Sequence, residues 1–204
     1  MSTRSYVSVV RAEAAAEKRD RVIQAAARFL REEESIAAFS LDTVAKAAGV
    51  TRLTVYNQFG SRRGLLEAVF DDIARRGRLV RLNDAMAASD PWSGLDQLVE
   101  IFCDFWSSDP AVARLHDAMG IDPEFAQALL ERNARRRQLL EELVVRMTGR
   151  LASPSAQRDA IDLTFALTSC AMFRMLASER SAKAVCDLVR DASRAAIGRI
   201  ISGN

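Results

Sequence analysis

The sequence is poor in the residues on which most catalytic and metal sites depend. Its 204 residues include one histidine, three cysteines and four prolines. A single histidine, His116, excludes both a cluster of histidine ligands and an acid/base pair of two histidines. Stretches of β-branched residues are short, so no strand is predicted. Because a Gly-rich phosphate loop usually follows a strand, no such loop is predicted either. We therefore expect no enzyme, no metal site and no cofactor.

Long apolar runs are absent as well. No stretch of about 20 apolar residues occurs, which is the length that a membrane-spanning helix requires. Near the N-terminus Arg4, Arg11 and Glu13 interrupt the valines, so no secretion signal is predicted. Together these absences predict a cytoplasmic protein.

The three cysteines, Cys103, Cys170 and Cys186, are far apart and lie within apolar helical patterns. Such an arrangement is typical of buried free thiols in a reducing compartment. A redox sensor is the alternative interpretation, and it would require a thiol with a lowered pKa.

The residues that are abundant favour helices and a basic N-terminal part. Hydrophobic residues make up 49% of the chain, and Leu, Ala and Arg are common, which favours an all-α protein. Residues 1–82 carry 15 Lys and Arg against 10 Asp and Glu, a net charge of +5, whereas the rest carries 14 against 17, a net charge of −3. A basic N-terminal third is suited to binding phosphates.

Residues 39–66 contain two short helical patterns separated by a glycine. The first places apolar residues at i, i+3, i+4 and i+7, the spacing of one helix face. These residues are Leu41, Val44, Ala45 and Ala48. Ser40 is the predicted N-cap of this helix and Gly49 ends it, while Thr51 caps a second helix of about eight residues. The spacing predicts a helix-turn-helix.

The second helix of this pair has an apolar side and a side suited to DNA. Val50, Val55 and Phe59 are spaced to pack on the first helix. The outward set can bond base edges or contact thymine methyls in a major groove. It consists of Arg52, Leu53, Thr54, Asn57 and Gln58. Tyr56 and Arg62 are predicted to contact phosphates, which set register without selecting sequence. The cap residues Ser40 and Thr51 complete the predicted DNA-contacting set.

This segment resembles the DNA-binding signature of tetracycline-repressor (TetR) family regulators. The resemblance covers about residues 19 to 70 and agrees in order and spacing at Ala45, Ala48, Gly49, Val50, Thr51, Thr54, Val55, Tyr56, Phe59, Ser61, Arg62, Leu65 and Leu66. Three positions differ from the family: Arg62 replaces the usual Lys, Leu53 replaces a small residue, and residues 32–35 lack the usual Gly. The resemblance implies a homodimer that pairs through its last two helices. It also implies a regulator, most often a repressor, that binds a palindromic DNA operator and is released by a small molecule.

The turn Ser89-Asp90-Pro91 suggests a domain boundary, because proline starts helices well. We predict a flexible arm over residues 1–16, a three-helix DNA-binding domain over 17–84, and a C-terminal helical domain for effector binding and dimerisation over 85–204. Two long helices are also expected, from Arg62 to about Ala88 and from about 155 to 178, because apolar residues recur there at helical spacing.

Aromatic and methionine side chains of the C-terminal part are candidates for an effector pocket. They are Phe102, Phe105, Trp106, His116, Met119, Phe125, Met172 and Phe173. Core packing accounts for the same residues equally well. Arg135, Arg136 and Arg137 are about 100° apart on a helix, so two of them meet solvent wherever the third points. Either this part of the helix is hydrated, with Glu131–Arg135 and Arg137–Glu141 as i,i+4 ion pairs, or one guanidinium enters a ligand cavity and selects an acidic effector.

The main alternative to a DNA-binding regulator is a helical protein-interaction module without DNA binding. The basic N-terminal charge and the outward Arg52 and Asn57 argue against it.

Overall fold

The computed structural model describes residues 3–32, 36–120, 122–149 and 151–202, with side chains from residue 12 onward apart from residues 120 and 124. The described chain is α-helical and contains no strand. This confirms the predicted all-α class. In chain order the helices are α1 Thr3–Glu32, α2 Leu41–Ala48, α3 Arg52–Phe59, α4 Arg62–Arg76, α5 Leu82–Ala87, α6 Pro91–Ser108, α7 Ala111–Asp117, α8 Pro123–Thr148, α9 Pro154–Leu167, α10 Cys170–Ala177 and α11 Ala182–Ser202.

The first helix begins much earlier than the sequence suggested. Residues from Thr3 to residue 16, which we expected in a flexible arm, belong to α1. No glycine or proline interrupts this stretch, and its four alanines and Glu13 are strong helix formers. Side chains 12–21 are exposed, whereas Val22, Ala26 and Leu30 are buried. Propensity therefore supports the first half of α1 and packing supports the second.

The long helix predicted from Arg62 to Ala88 ends at Arg76. Arg78 adopts a left-handed backbone with φ of 56°, and a 3-10 turn at Leu79–Arg81 leads into α5. Gly77, directly before it, was the available sequence signal for this break. The predicted helix over 155–178 is also divided, because Ser169 accepts a hydrogen bond from the amide of Met172 and starts α10.

Two compact units divide the chain, and the first is not continuous in sequence. It consists of residues 1–73 and 110–126, while the second consists of 74–109 and 127–204. The observed division falls between Ile73 and Ala74 instead of near residue 85. Residues 110–126 join the first unit because α7 packs against α1, a contact between distant segments that periodicity does not encode.

The second unit is built around α6, α8, α9 and α11. Its core is a cluster of buried apolar side chains that includes Leu98, Phe102, Leu143, Ile161 and Val189. No single helix in the described residues has the length and apolar character needed to cross a membrane, and α9 with α10, bent by 54°, meets that test only as a pair.

Candidate nucleic-acid interface

Two side-chain caps and one glycine define the turn between α2 and α3. Ser40 Oγ accepts from the amide of Thr43 at 3.1 Å, and Thr51 Oγ1 accepts from the amide of Thr54 at 3.1 Å. Gly49 lies in the left-handed region with φ of 66°, and its amide donates to carbonyls at the end of α2. These bonds satisfy amides that a helix start leaves without partners. The predicted helix-turn-helix is confirmed in both caps and in the turn.

Helix α3 turns most of its predicted base-reading side chains to solvent. Leu53 is 65% exposed and Tyr56 is 56% exposed. Thr51, Arg52 and Asn57 are also exposed, whereas Ser40, Thr54 and Gln58 are half-buried. A leucine exposed in this way can contact a thymine methyl in a major groove.

The opposite side of α3 is anchored in the first unit. Val55 and Phe59 are buried, and the Arg19 guanidinium lies 4.5 Å from the centre of the Phe59 ring. Arg19 also donates to the Gln58 carbonyl at 3.0 Å. The burial of Val55 and Phe59 and the contacts of Arg19 fix α3 against α1, while the outer side of α3 stays exposed to solvent.

Arg52 makes only a weak contact within the protein. Its guanidinium lies 3.6 Å from the Asp42 carboxylate, with 69% and 66% of the two side chains exposed. Pairs this exposed contribute little to stability, at most about 1 kcal/mol. Arg52 can therefore exchange this partner for a base edge at small cost.

Arg62 was predicted to contact a DNA phosphate, but in the structure it binds groups within the protein. Its Nε donates to the Phe39 carbonyl at 3.0 Å, and its Nη1 pairs with the Asp122 carboxylate at 3.2 Å. Its Nη2 reaches the Ile36 carbonyl at 3.4 Å, and 24% of the side chain is exposed. These bonds use the guanidinium inside the first unit, so this arrangement does not support a phosphate contact by Arg62.

Gly64 and Asp122 are two residues that the sequence patterns did not single out. A Cβ at Gly64 would lie 2.0 Å from the Phe59 carbonyl oxygen, so only glycine fits where the end of α3 approaches α4. Asp122 accepts from the amide of Phe125 at 3.1 Å, which caps α8. The Ser-x-x-Gly spacing from Ser61 and the aspartate before Pro123 were the available signals.

The predicted effector residues divide between the two units. His116, Met119 and Phe125 belong to the first unit, and the other five belong to the second. Within the second unit, Phe102, Phe105 and Trp106 form an aromatic group, in which Trp106 is stacked on Phe102 at 5.8 Å. The eight predicted residues therefore do not form a single cluster within either unit.

Of the three consecutive arginines in α8, only Arg136 is buried, and Arg135 is exposed. Arg136 donates to the Thr168 hydroxyl at 2.9 Å and to the Phe165 carbonyl at 3.1 Å, and it lies over the Phe165 ring at 4.0 Å. Burial lowers the pKa of the Arg136 guanidinium to about 10, so it stays charged near neutral pH. Among the described residues no carboxylate pairs with it.

Comparison with known proteins agrees with this geometry. Residues 23–69 match the family described as bacterial regulatory proteins, tetR family. The HTH-type transcriptional regulator EthR of Mycolicibacterium smegmatis is 34% identical over 112 residues, which are 53% of this chain and 51% of that protein. The match therefore spans about half the length of that relative.

Solved structures share the fold over most of the chain. NalD, the secondary repressor of the MexAB-OprM multidrug efflux pump in Pseudomonas aeruginosa, has a TM-score of 0.67 at 21% identity and covers 90% of this chain and 97% of its own. A transcriptional regulator from Rhodococcus sp. Rha1 has a TM-score of 0.65 at 18% identity, covering 91% of this chain and 96% of its own.

The capped turn and the open outer side of α3 define a helix-turn-helix protein. Together with the family match, they identify residues 23–69 as a DNA-binding segment of the tetR family of bacterial regulatory proteins. Regulators of this family bind DNA operators, usually as dimers and with small-molecule effectors, and they are not enzymes. The non-enzymatic interpretation of the sequence is confirmed on this ground.

Proposed function

We propose that this chain is a ligand-responsive transcriptional repressor that binds a palindromic operator through α3. The observation that carries the proposal is the exposure of Arg52, Leu53, Tyr56 and Asn57 on a helix capped by Thr51 and anchored by buried Val55. The net charge of +5 over residues 1–82 supplies the attraction to phosphates.

Selection of bound fragments from random DNA tests this function directly. We expect a palindrome whose half-sites are about one helical turn, about 10 base pairs, apart. Binding to the selected site should weaken with rising salt while its preference over random duplex remains. A chain that ignores DNA at low ionic strength would instead be the helical interaction module without DNA binding.

Arg52→Ala is expected to cost about 1–3 kcal/mol at the selected operator and to relax the preference at one base position. The reason is that Arg52 lies exposed at the start of α3, with only the weak Asp42 contact to give up. Gel-shift titrations against the operator and single-base variants measure both effects. Arg28→Ala, an exposed charge on α1, is the matched control. Equal losses in both variants would mean that Arg52 contributes only charge.

We propose a homodimer that pairs through the C-terminal helices. Large apolar side chains remain exposed there: Leu163 on α9 at 41%, Met175 on α10 at 70% and Leu188 on α11 at 43%. A dimer interface would remove this apolar surface from water. Light scattering at micromolar concentration should give twice the 22.5 kDa chain mass, and a monomer bound to an asymmetric half-site would contradict the proposal.

We propose further that the effector carries an anionic group that binds Arg136. A buried guanidinium without a carboxylate is costly, and an anion would offset that cost. We expect some aryl or alkyl carboxylates to raise the melting temperature of the wild-type protein and to bind Arg136→Met about tenfold more weakly, since a charged hydrogen bond contributes about 1.5–3 kcal/mol. Arg135→Met, which removes an exposed charge one residue away, should bind as the wild type does. Carboxylates that bind all three proteins equally would refute this assignment.

A further inference from the structure

A cavity of about 370 Å³ in the second unit is lined by one face of α6 and one face of α11. The lining residues recur three or four positions apart, as residues on one helical face do. From α6 they are Glu100, Cys103 and Asp104, and from α11 Ala182, Lys183, Cys186, Asp187 and Arg190. Two of the three cysteines of the chain thus meet at one opening, one from each helix.

The two thiols differ in surroundings and in acidity. Cys103 is buried, whereas Cys186 is partly exposed. A hydrogen bond from the Cys103 thiol, helped by the charge of Arg190, lowers the pKa of Cys186, although desolvation and the carboxylates of Asp187 and Glu100 oppose it. The same hydrogen bond and burial raise the pKa of Cys103. Cys186 is therefore the better nucleophile and Cys103 its protonated neighbour.

The charges around the pair do not form a metal site. Asp187 is bonded to both Lys183 and Arg190, and no group of three or more metal-ligating side chains occurs in the part of the chain that the structure describes. The cavity that both cysteines line carries positive and negative side chains, and its volume of about 370 Å³ is sufficient for a small uncharged oxidant.

We propose that Cys103 and Cys186 form an oxidation site that a hydroperoxide converts to a reversible disulfide. The Cys186 thiolate attacks one peroxide oxygen, the O–O bond breaks, and Cys186 becomes a sulfenic acid while the alkoxide takes a proton and leaves as an alcohol. The Cys103 sulfur then attacks the Cys186 sulfur, forming the S–S bond and releasing water. Two thiols and one hydroperoxide thus give one disulfide, one alcohol and one water, and a dithiol reductant reverses the reaction.

The site lies away from the face proposed for dimerisation. Residues 186 and 188 are two positions apart on α11, which turns their side chains about 200° from each other. Leu188 and Cys186 therefore lie on different sides of α11. The oxidation site does not depend on DNA binding or on an effector.

Peptide mapping of the full chain tests the site. The reduced protein is treated with cumene hydroperoxide, its remaining thiols are alkylated after unfolding, and the peptides are analysed by mass spectrometry. We expect a linked pair of peptides containing Cys103 and Cys186 within one chain, an alkylated Cys170, and recovery of both free thiols on treatment with dithiothreitol. A Cys170→Ser variant should behave as the wild type does.

Single variants separate the two roles. Cys103→Ser should stop at a Cys186 sulfenic acid that dimedone traps, and Cys186→Ser should consume hydroperoxide at least tenfold more slowly. Cys186→Ala repeats the measurement if the serine variant does not fold. Oxidation of Cys186 no faster than that of Cys170 in the wild type, or linkage mainly between two chains, would overturn the proposal. Both of these measurements use the wild-type protein and remain informative if every variant fails to fold.

Discussion

Replacing Arg62 by methionine is expected to lower the free energy of unfolding by about 2–3 kcal/mol. Removing one partner of a buried ion pair costs about 3–5 kcal/mol, and the Arg62 side chain, 24% exposed, should cost somewhat less. The change removes the ion pair between Arg62 and the Asp122 carboxylate and the hydrogen bond from Arg62 to the Phe39 carbonyl. Calorimetry or chemical denaturation measures the change.

Two controls distinguish this structural role from a contact with phosphate. Arg52→Met removes an equally charged side chain whose partner is exposed, so its stability should change by less than about 0.5 kcal/mol. Asp122→Asn combined with Arg62→Met should show a coupling between the two positions. If Arg62→Met kept full stability but reduced the salt dependence of operator binding by about one phosphate contact, the phosphate role expected from the sequence would be right.

Gly64→Ala is expected to have the other large effect, a loss of about 3 kcal/mol or more together with weakened operator binding. The added Cβ would lie 2.0 Å from the Phe59 carbonyl oxygen, and this neighbour is backbone, which cannot rotate away. Overpacking of this kind commonly costs about 1–3 kcal/mol, and here the end of α3 itself must move. Denaturation and gel-shift titration together measure both consequences.

Gly198→Ala is the matched control for this prediction. A Cβ at Gly198, within α11, meets nothing within 4 Å, so alanine should stabilise that helix by about 0.5–1 kcal/mol. The same substitution is thus expected to have opposite signs at the two positions. If the Gly64→Ala variant were as stable as the wild-type protein, α3 and α4 would separate more easily than their geometry indicates.

Local signals explain why the helix-turn-helix was predictable. Ser40, Gly49 and Thr51 act within three or four residues of their own positions, through caps and a left-handed turn. Such short-range preferences can be recognised without any knowledge of the tertiary structure. Resemblance to the TetR family added the overall fold, which the sequence patterns alone left as two helical parts.

Distant partners explain most of what was missed. The role of Arg62 depends on Asp122, sixty residues further along, and no periodicity encodes that pairing. The helical spacing of apolar residues over about 155–178 hid the start of α10, although Ser169 is a recognisable cap. Burial of Arg136 instead of Arg135 also depends on the partners at the end of α9.

The discontinuous first unit has a consequence for synthesis. Its helices α1 to α4 leave the ribosome first, but α7 and the Asp122 cap follow only after residues 74–109 of the second unit. Until residue 126 has emerged, the nascent helix-turn-helix lacks the α7 surface that packs on α1 and the carboxylate that holds Arg62. A recombinant fragment cut at residue 84 would stay in that incomplete state, so a minimal operator-binding fragment needs residues 110–126 joined back through a linker.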